Sequence, residues 1–184
     1  MRGADKLEMP VDGTPLLRCA ALIALAASPF VAVCLRPDDQ ARRALLEGLE
    51  VTILTVSDAA EGMAASLREG ARWADDLPVA ALMIALPDMP EITSADMLAL
   101  IAAQAETPDL PLRASTQLGM PGHPVILPRK LFAMVGALRG DSGARAILGA
   151  YPPRLHALAD ARAVTDLDTP EAWAAWQKQR SCMP

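Results

Sequence analysis

The chain has 184 residues, enough for one domain with a substantial core and too few for two comfortable ones. A hydrophobic content of 52% against 21% charged residues excludes a disordered chain, and a net charge of −5 with scattered basic residues speaks against a nucleic-acid partner. With three Trp, one Tyr and two Phe, the core has to come from Ala, Leu, Val, Ile and Met, which suits alanine-rich helices layered on aliphatic strands.

Thr14-Pro15 reads as a helix start, a hydroxyl cap followed by proline, and Ser28-Pro29 as its end. Residues 16–35 approach the length of a membrane span, but Arg18 interrupts them and Ser28-Pro29 splits them, so no membrane partner is expected. Asp5 and Glu8 likewise speak against a signal peptide. Residues 30–35 read as a buried strand, Asp38 caps a helix running to about Glu47, and residues 51–56 form a second, β-branched strand. Glu61-Gly62 leads into a third helix ending near Trp73.

Residues 79–90 read V-A-A-L-M-I-A-L-P-D-M-P, with eight apolar residues in a row. Such a run without alternation marks a strand covered on both faces. It stops on Asp88, between two prolines. Ligands bind at the carboxyl edge of open α/β sheets, so a carboxylate there is a candidate metal ligand. Thr93-Ser94-Ala95-Asp96 starts the next helix, with Met97, Leu98, Ile101 and Ala105 on one face. Up to Glu106 strand and helix alternate, which predicts a parallel sheet with right-handed crossovers. Residues 112–117 and 124–127 then flank a turn-rich L-G-M-P-G and read as an irregular hairpin inserted above the sheet. Short helices follow at 129–138 and, from Asp141, at 141–150; Thr169-Pro170 opens a last one. Cys19, Cys34 and Cys182 match no zinc or redox spacing and read as reduced thiols, with a cytoplasmic location expected.

Five segments, taken in order, carry a family resemblance. They are M-R-G-A-D-K-L-E-M-P-V-D-G-T-P-L-L at 1–17, A-E-G-M-A-A-S-L-R-E-G at 60–70, the segment holding Asp88, G-H-P-V-I-L at 122–127 with G-D-S-G-A-R at 140–145, and D-L-D-T-P-E at 166–171. Together they resemble the MobA-like nucleotidyltransferases, especially the molybdenum-cofactor cytidylyltransferase branch, over nearly the whole chain. The resemblance implies a single three-layer, Rossmann-like α/β domain with a mostly parallel sheet. It also implies transfer of CMP, or another nucleoside monophosphate, from a nucleoside triphosphate to molybdopterin or a similar small phosphorylated acceptor, with release of pyrophosphate. By the same resemblance Lys6 contacts the nucleotide phosphates, Asp88 holds Mg2+, and Asp168, with Asp166 beside it, completes the metal site. Glu61, Gly62, Met63 and Ser66 match the loop near the nucleotide base, His123 and Pro124 the acceptor-side loop, and Arg145 a phosphate-side position.

The chemistry explains these residue types. An acceptor phosphate attacking an α-phosphorus brings anions together, so positioning and charge neutralisation lower the barrier. Separated aspartates suit a hard cation, and a lysine supplies mobile positive charge to the same oxygens. Taken singly, Lys6 reads as a surface lysine, Glu61 as a first-turn acid and Asp168 as a turn former; the register of the five segments raises them.

Family members carry, just upstream, a first strand and a glycine-rich loop of the form L-A-A-G-x-S-x-R-M that cradles the triphosphate, whereas this sequence starts at the methionine of that motif. Loss of a central strand would leave backbone groups unpaired at about 1–3 kcal/mol each, so the expectation is a reading frame that begins upstream of Met1. Two further readings stand beside the main one: a family member without catalysis that serves as binding or maturation partner of a molybdoenzyme, and a cytidylyltransferase acting on methylerythritol phosphate.

Overall fold

The computed structural model describes residues 5–140 and 143–181; the expected helix start at Asp141 and the third cysteine, Cys182, lie outside them. Strands β1 (Pro10–Val11) and β2 (Thr14–Pro15) pair antiparallel around Asp12-Gly13, both at positive φ, 51° and 81°. Asp-Gly is the pair that tolerates such a turn. Helix α1 (Leu16–Ala27) follows at once. Its expected hydroxyl cap is absent because Thr14 is held in the β1–β2 pairing; instead the Leu16 N–H donates to the Met9 carbonyl at 2.9 Å.

Next come β3 (Ala32–Leu35), α2 (Gln40–Leu45) and β4 (Thr52–Thr55), with β3 and β4 parallel. The α2 cap is Asp39, one residue beyond the expected Asp38. A 3-10 turn at Ala59–Glu61 leads into α3 (Met63–Asp75), then β5 (Ala81–Ile84). Helix α4 (Ser94–Glu106) opens with the expected cap as a complete box: Thr93 Oγ1 accepts from the Asp96 N–H at 3.2 Å and the Asp96 carboxylate accepts from the Thr93 N–H at 2.9 Å. The chain continues through β6 (Leu112–Ser115), β7 (Pro121–Pro128), α5 (Phe132–Gly136), α6 (Arg145–Ala150), β8 (Arg154–Ala157) and α7 (Pro170–Ser181).

The α/β class and Rossmann-like layering hold, but three expectations change. First, the sheet order β5-β7-β6-β8 puts the supposed inserted hairpin inside the main sheet. Val125 and Leu127 pack to one face of β7 and Ile126 to the other, so this strand carries the middle of the core. Second, β5–β7 and β6–β7 are antiparallel while β3–β4 and β6–β8 are parallel, so the pairing is mixed. Third, α4 buries Met97, Leu100, Ala103 and Gln104, leaving Leu98 and Ile101 exposed. Gln104 belongs inside because its Nε2 donates to the carbonyls of Thr107, Pro108 and Leu110, closing the loop behind the helix.

Helices α3, α5 and α6 cover one face of the main sheet, and α4 with part of α1 the other. A third cluster gathers α1, β3, α2 and α7 around Leu16, Leu35, Leu46, Trp173 and Trp176, the two indole rings 5.6 Å apart. Among the described residues no ladder joins β3 to β5, so the small and main sheets are separate. Two helices nevertheless cross the interval. α1 contributes Leu17 and Ala21 to the β3 side and Ile23, Ala24 and Ala27 to the β5 side. α3 packs against both strands, with the Cys34 Sγ donating to the Ser66 carbonyl at 3.5 Å. Every residue of β5 remains part-exposed. No helix among the described residues is long and apolar enough to cross a membrane.

Candidate active site

The strand β5 delivers its chain to the carboxyl edge of the sheet, and the loop beyond Ile84 places Asp88 there. Two distant segments are fixed against it. Lys6 sits on a 3-10 turn (Lys6–Glu8) that is N-capped by Asp5, whose carboxylate accepts from the Leu7 N–H at 3.0 Å, and Leu7 is buried. Asp5 also binds Arg42 Nε at 2.7 Å, so the turn is tied to α2. From the other end, buried Leu167 donates its N–H to the Asp88 carbonyl at 3.2 Å. Its neighbours Asp166 and Asp168 are exposed, and Asp168 carries a side-chain hydrogen bond with Asp166.

Lys6 Nζ donates to Asp88 Oδ2 and to Asp168 Oδ1, each at 2.5 Å. The two carboxylate oxygens are therefore no further apart than two such contacts laid end to end, although 80 positions of sequence separate their residues. Hydrogen bonding to Lys6, then its charge, holds the Asp168 carboxyl below the usual carboxylate range. Burial works against the Lys6 ammonium, but Asp168 and Asp88 outweigh it and raise its pKa.

A hard divalent cation fits this donor set. Both side chains offer carboxylate oxygens, the Lys6 ammonium already stands between them as a positive group, and Asp88 Oδ1 is buried with no partner. Among the described residues no three His, Cys, Asp or Glu side chains gather into a metal site by themselves, so further ligands would be phosphate or water oxygens.

The residues matched to the base loop form a separate group. Arg68 pairs with Asp58 and, at 2.9 Å, with Glu61, so the Glu61 carboxylate is engaged in holding the 3-10 turn. Gly62 has φ 86° and ψ −158°, a conformation reserved for glycine, and it launches α3. Met63 is exposed, whereas Ser66 is half-buried with its carbonyl engaged by Cys34. None of these four has a direct hydrogen bond or ion pair to Lys6, Asp88 or Asp168.

On the acceptor side, His123 lies within electrostatic reach of Asp88 and faces the Ile84 carbonyl. Burial, the largest influence, pulls its pKa below the ordinary histidine value, so the ring is neutral at pH 7. The His123–Pro124 peptide is cis, and Pro124 is fully buried, shaping β7 rather than offering a contact surface. Arg145 is exposed at the start of α6. Sequence reasoning missed Arg113, which the His123 ring also feels. The signal was present in L-R-A-S, the one charge in a strand whose other three residues are buried.

A layered α/β sheet with acidic side chains and a lysine meeting at its carboxyl edge defines a Rossmann-like nucleotidyltransferase class. The chain belongs to the MobA-like NTP transferase domain family, whose model matches residues 1–157. It is 29% identical over 119 residues to the purine catabolism protein PucB of Bacillus subtilis (strain 168), covering 63% of this chain and 56% of that protein. The match thus spans little more than half of that relative's length. Among solved structures, Rv0371c of Mycobacterium tuberculosis superimposes with a TM-score of 0.80 at 24% identity, over 96% of this chain and 90% of that one. A manganese complex of the same mycobacterial protein gives 0.76 at 24% identity over 96% and 93%. The molybdopterin-guanine dinucleotide biosynthesis protein A of Archaeoglobus fulgidus gives 0.64 at 16% identity over 98% and 93%.

Proposed function

We propose that the protein transfers a nucleoside monophosphate, CMP in the first instance, from a nucleoside triphosphate to molybdopterin or a closely related phosphorylated small molecule. The observation that carries this reading is the meeting of Asp88, Asp168 and Lys6 at the carboxyl edge of the sheet. In the reaction an acceptor phosphate oxygen forms a bond to the α-phosphorus while the bond from that phosphorus to the β-phosphate oxygen breaks. Pyrophosphate leaves with the electron pair. A phosphate acceptor is already ionised near neutral pH, so no general base is required.

Asp88 and Asp168 would hold Mg2+, which when bound supplies neutralisation of the triphosphate charge. Lys6 turns from the carboxylates to phosphate oxygens, and its flexible stem allows that change. The loop of Gly62 and Met63 borders the base. Molybdopterin as acceptor is supported by the Archaeoglobus neighbour's name and by the cytidylyltransferase-like segments, and Mg2+ by the hard donor set and the manganese-bound neighbour.

Pyrophosphate release from CTP, with molybdopterin and Mg2+ present, is the direct assay, with GTP and ATP in parallel. Asp88→Ala should lower turnover by about 100-fold or more while the fold persists, the scale seen when charge stabilisation is removed from an active site. Undiminished pyrophosphate release from that variant would remove the metal role.

A further inference from the structure

Several half-buried arginines here are neutralised on the spot: Arg42, Arg68, Arg154 and Arg162 each meet a carboxylate. Arg113 and Arg145 are different. Neither forms an ion pair among the described residues. Arg113 is half-buried on β6, and its Nε donates to the Gly122 carbonyl at 2.7 Å, which fixes the plane of the guanidinium and leaves its terminal nitrogens without an acid.

The strand register says where that group lies. Arg113 stands opposite Val125 on β7, and residues directly opposite in a sheet share a face. Val125 belongs to the cluster covered by α3, α5 and α6. Arg145 is the first residue of α6, over that same face. The two cations oppose each other: burial first, and then Arg145, pull Arg113 below the ordinary guanidinium value. His123 precedes Val125 by two positions, at the register irregularity between β6 and β7. Its ring feels both Arg113 and Asp88, which links Arg113 to the carboxylate site.

A half-buried guanidinium with no counter-ion is unfavourable until something supplies the charge. Arg113 is such a group, and the exposed Arg145 over the same face adds a second positive charge; the planar fork of arginine suits phosphate better than a lysine would. We propose that Arg113 and Arg145 together bind the phosphate of the acceptor, holding it beside His123 and next to the Asp88 carboxylate site. The identity of the ligand as the acceptor rests on the transferase reading; the anion site itself rests on the arginines. Such a pair offsets the repulsion between an incoming phosphate and the triphosphate it must attack.

The test is titration of the full chain with inorganic phosphate by calorimetry, without nucleotide or metal, alongside a separate titration with Mg2+ and CTP. Arg145→Met and Arg113→Met should each weaken phosphate binding about tenfold or more, and Arg129→Met should leave it within about twofold. Arg145 has no hydrogen bond or ion pair to lose among the described residues, so its variant decides the matter if Arg113→Met unfolds. Phosphate affinity unchanged in Arg145→Met, an equal loss in Lys6→Met, or no phosphate binding by the unaltered protein overturns the proposal. Arginine-dependent phosphate binding without any CTP binding retains the anion site and removes the transferase reading. CTP binding with phosphate indifferent to both arginines does the reverse.

Discussion

Lys6 is the residue on which the carboxylates depend when no ligand is present. Asp168 has a depressed pKa, so its pairing contributes stability above the unfolded value of 3.8, and the contribution is lost as pH falls through the lower folded value. Lys6 has a raised pKa, so its contribution is complete below 10.5 and is lost as pH rises through the higher folded value. The triad is therefore intact across the neutral range. Lys6→Met should cost about 1 kcal/mol at pH 7, a figure kept low by the exposure of the Asp168 side chain. The difference from the unaltered protein should shrink as pH falls below 3.8, through the lower folded value of Asp168. Millimolar Mg2+ should recover part of the loss in the variant, because the freed carboxylates then repel each other and bind a cation more readily. Calorimetric melting over that pH range, with and without Mg2+, reads all three effects, and a gap that ignores both pH and Mg2+ would show that the ion pairs contribute nothing.

At the level of elements, glycines separate close approach from mere freedom. A Cβ on Gly122 would stand 1.6 Å from the Ala163 carbonyl oxygen, while His123 N–H donates to that same carbonyl at 2.8 Å. Gly122→Ala should thus destabilise by about 3 kcal/mol, at the upper end of ordinary overpacking. Gly70, within α3, meets nothing nearer than Leu82 Cδ2 at 3.9 Å, so Gly70→Ala should stabilise by about 0.5–1 kcal/mol through helix propensity. Urea midpoints at unchanged m-value measure both shifts, and equal midpoints would refute the distinction. The same local against nonlocal divide explains what the sequence disclosed. The β5 run, the Thr93 box and the Thr169 hydroxyl that accepts from the Ala172 N–H at 3.1 Å are written in neighbouring residues. The central place of β7 depends on pairing Ile84 with Val125, far along the chain, and no local pattern carries it. Helix α4 is apolar on most sides, so several stripes compete and the choice of Leu98 and Ile101 failed. R-L-H-A at β8 alternates polar and apolar residues at a sheet edge and lacks the weight of a buried run. In the site, Lys6, Asp88 and Asp168 became legible as a group through the family-like segments, since nothing local joins residues so widely spaced.

At the scale of the whole molecule, β3 and β5 each have one paired side, toward β4 and β7, and one side with no strand partner among the described residues. Alternate amides in each strand should exchange with deuterium much faster than their bonded neighbours, a pattern that residue-resolved exchange would reveal and uniform protection would contradict. The chain leaves this interval at a definite point. Asp5 is tied to Arg42 just after β3, and Lys6 to Asp88 just after β5, so the first described residues bridge the carboxyl ends of both strands. Bare strand margins are adhesive: they template any extended polypeptide that can run alongside them. Concentration, ageing and contact with apolar peptides are consequently the conditions under which this protein will stick to itself or be captured. Anything that fills the seam will also stiffen the ground beneath the paired carboxylates of Asp88 and Asp168.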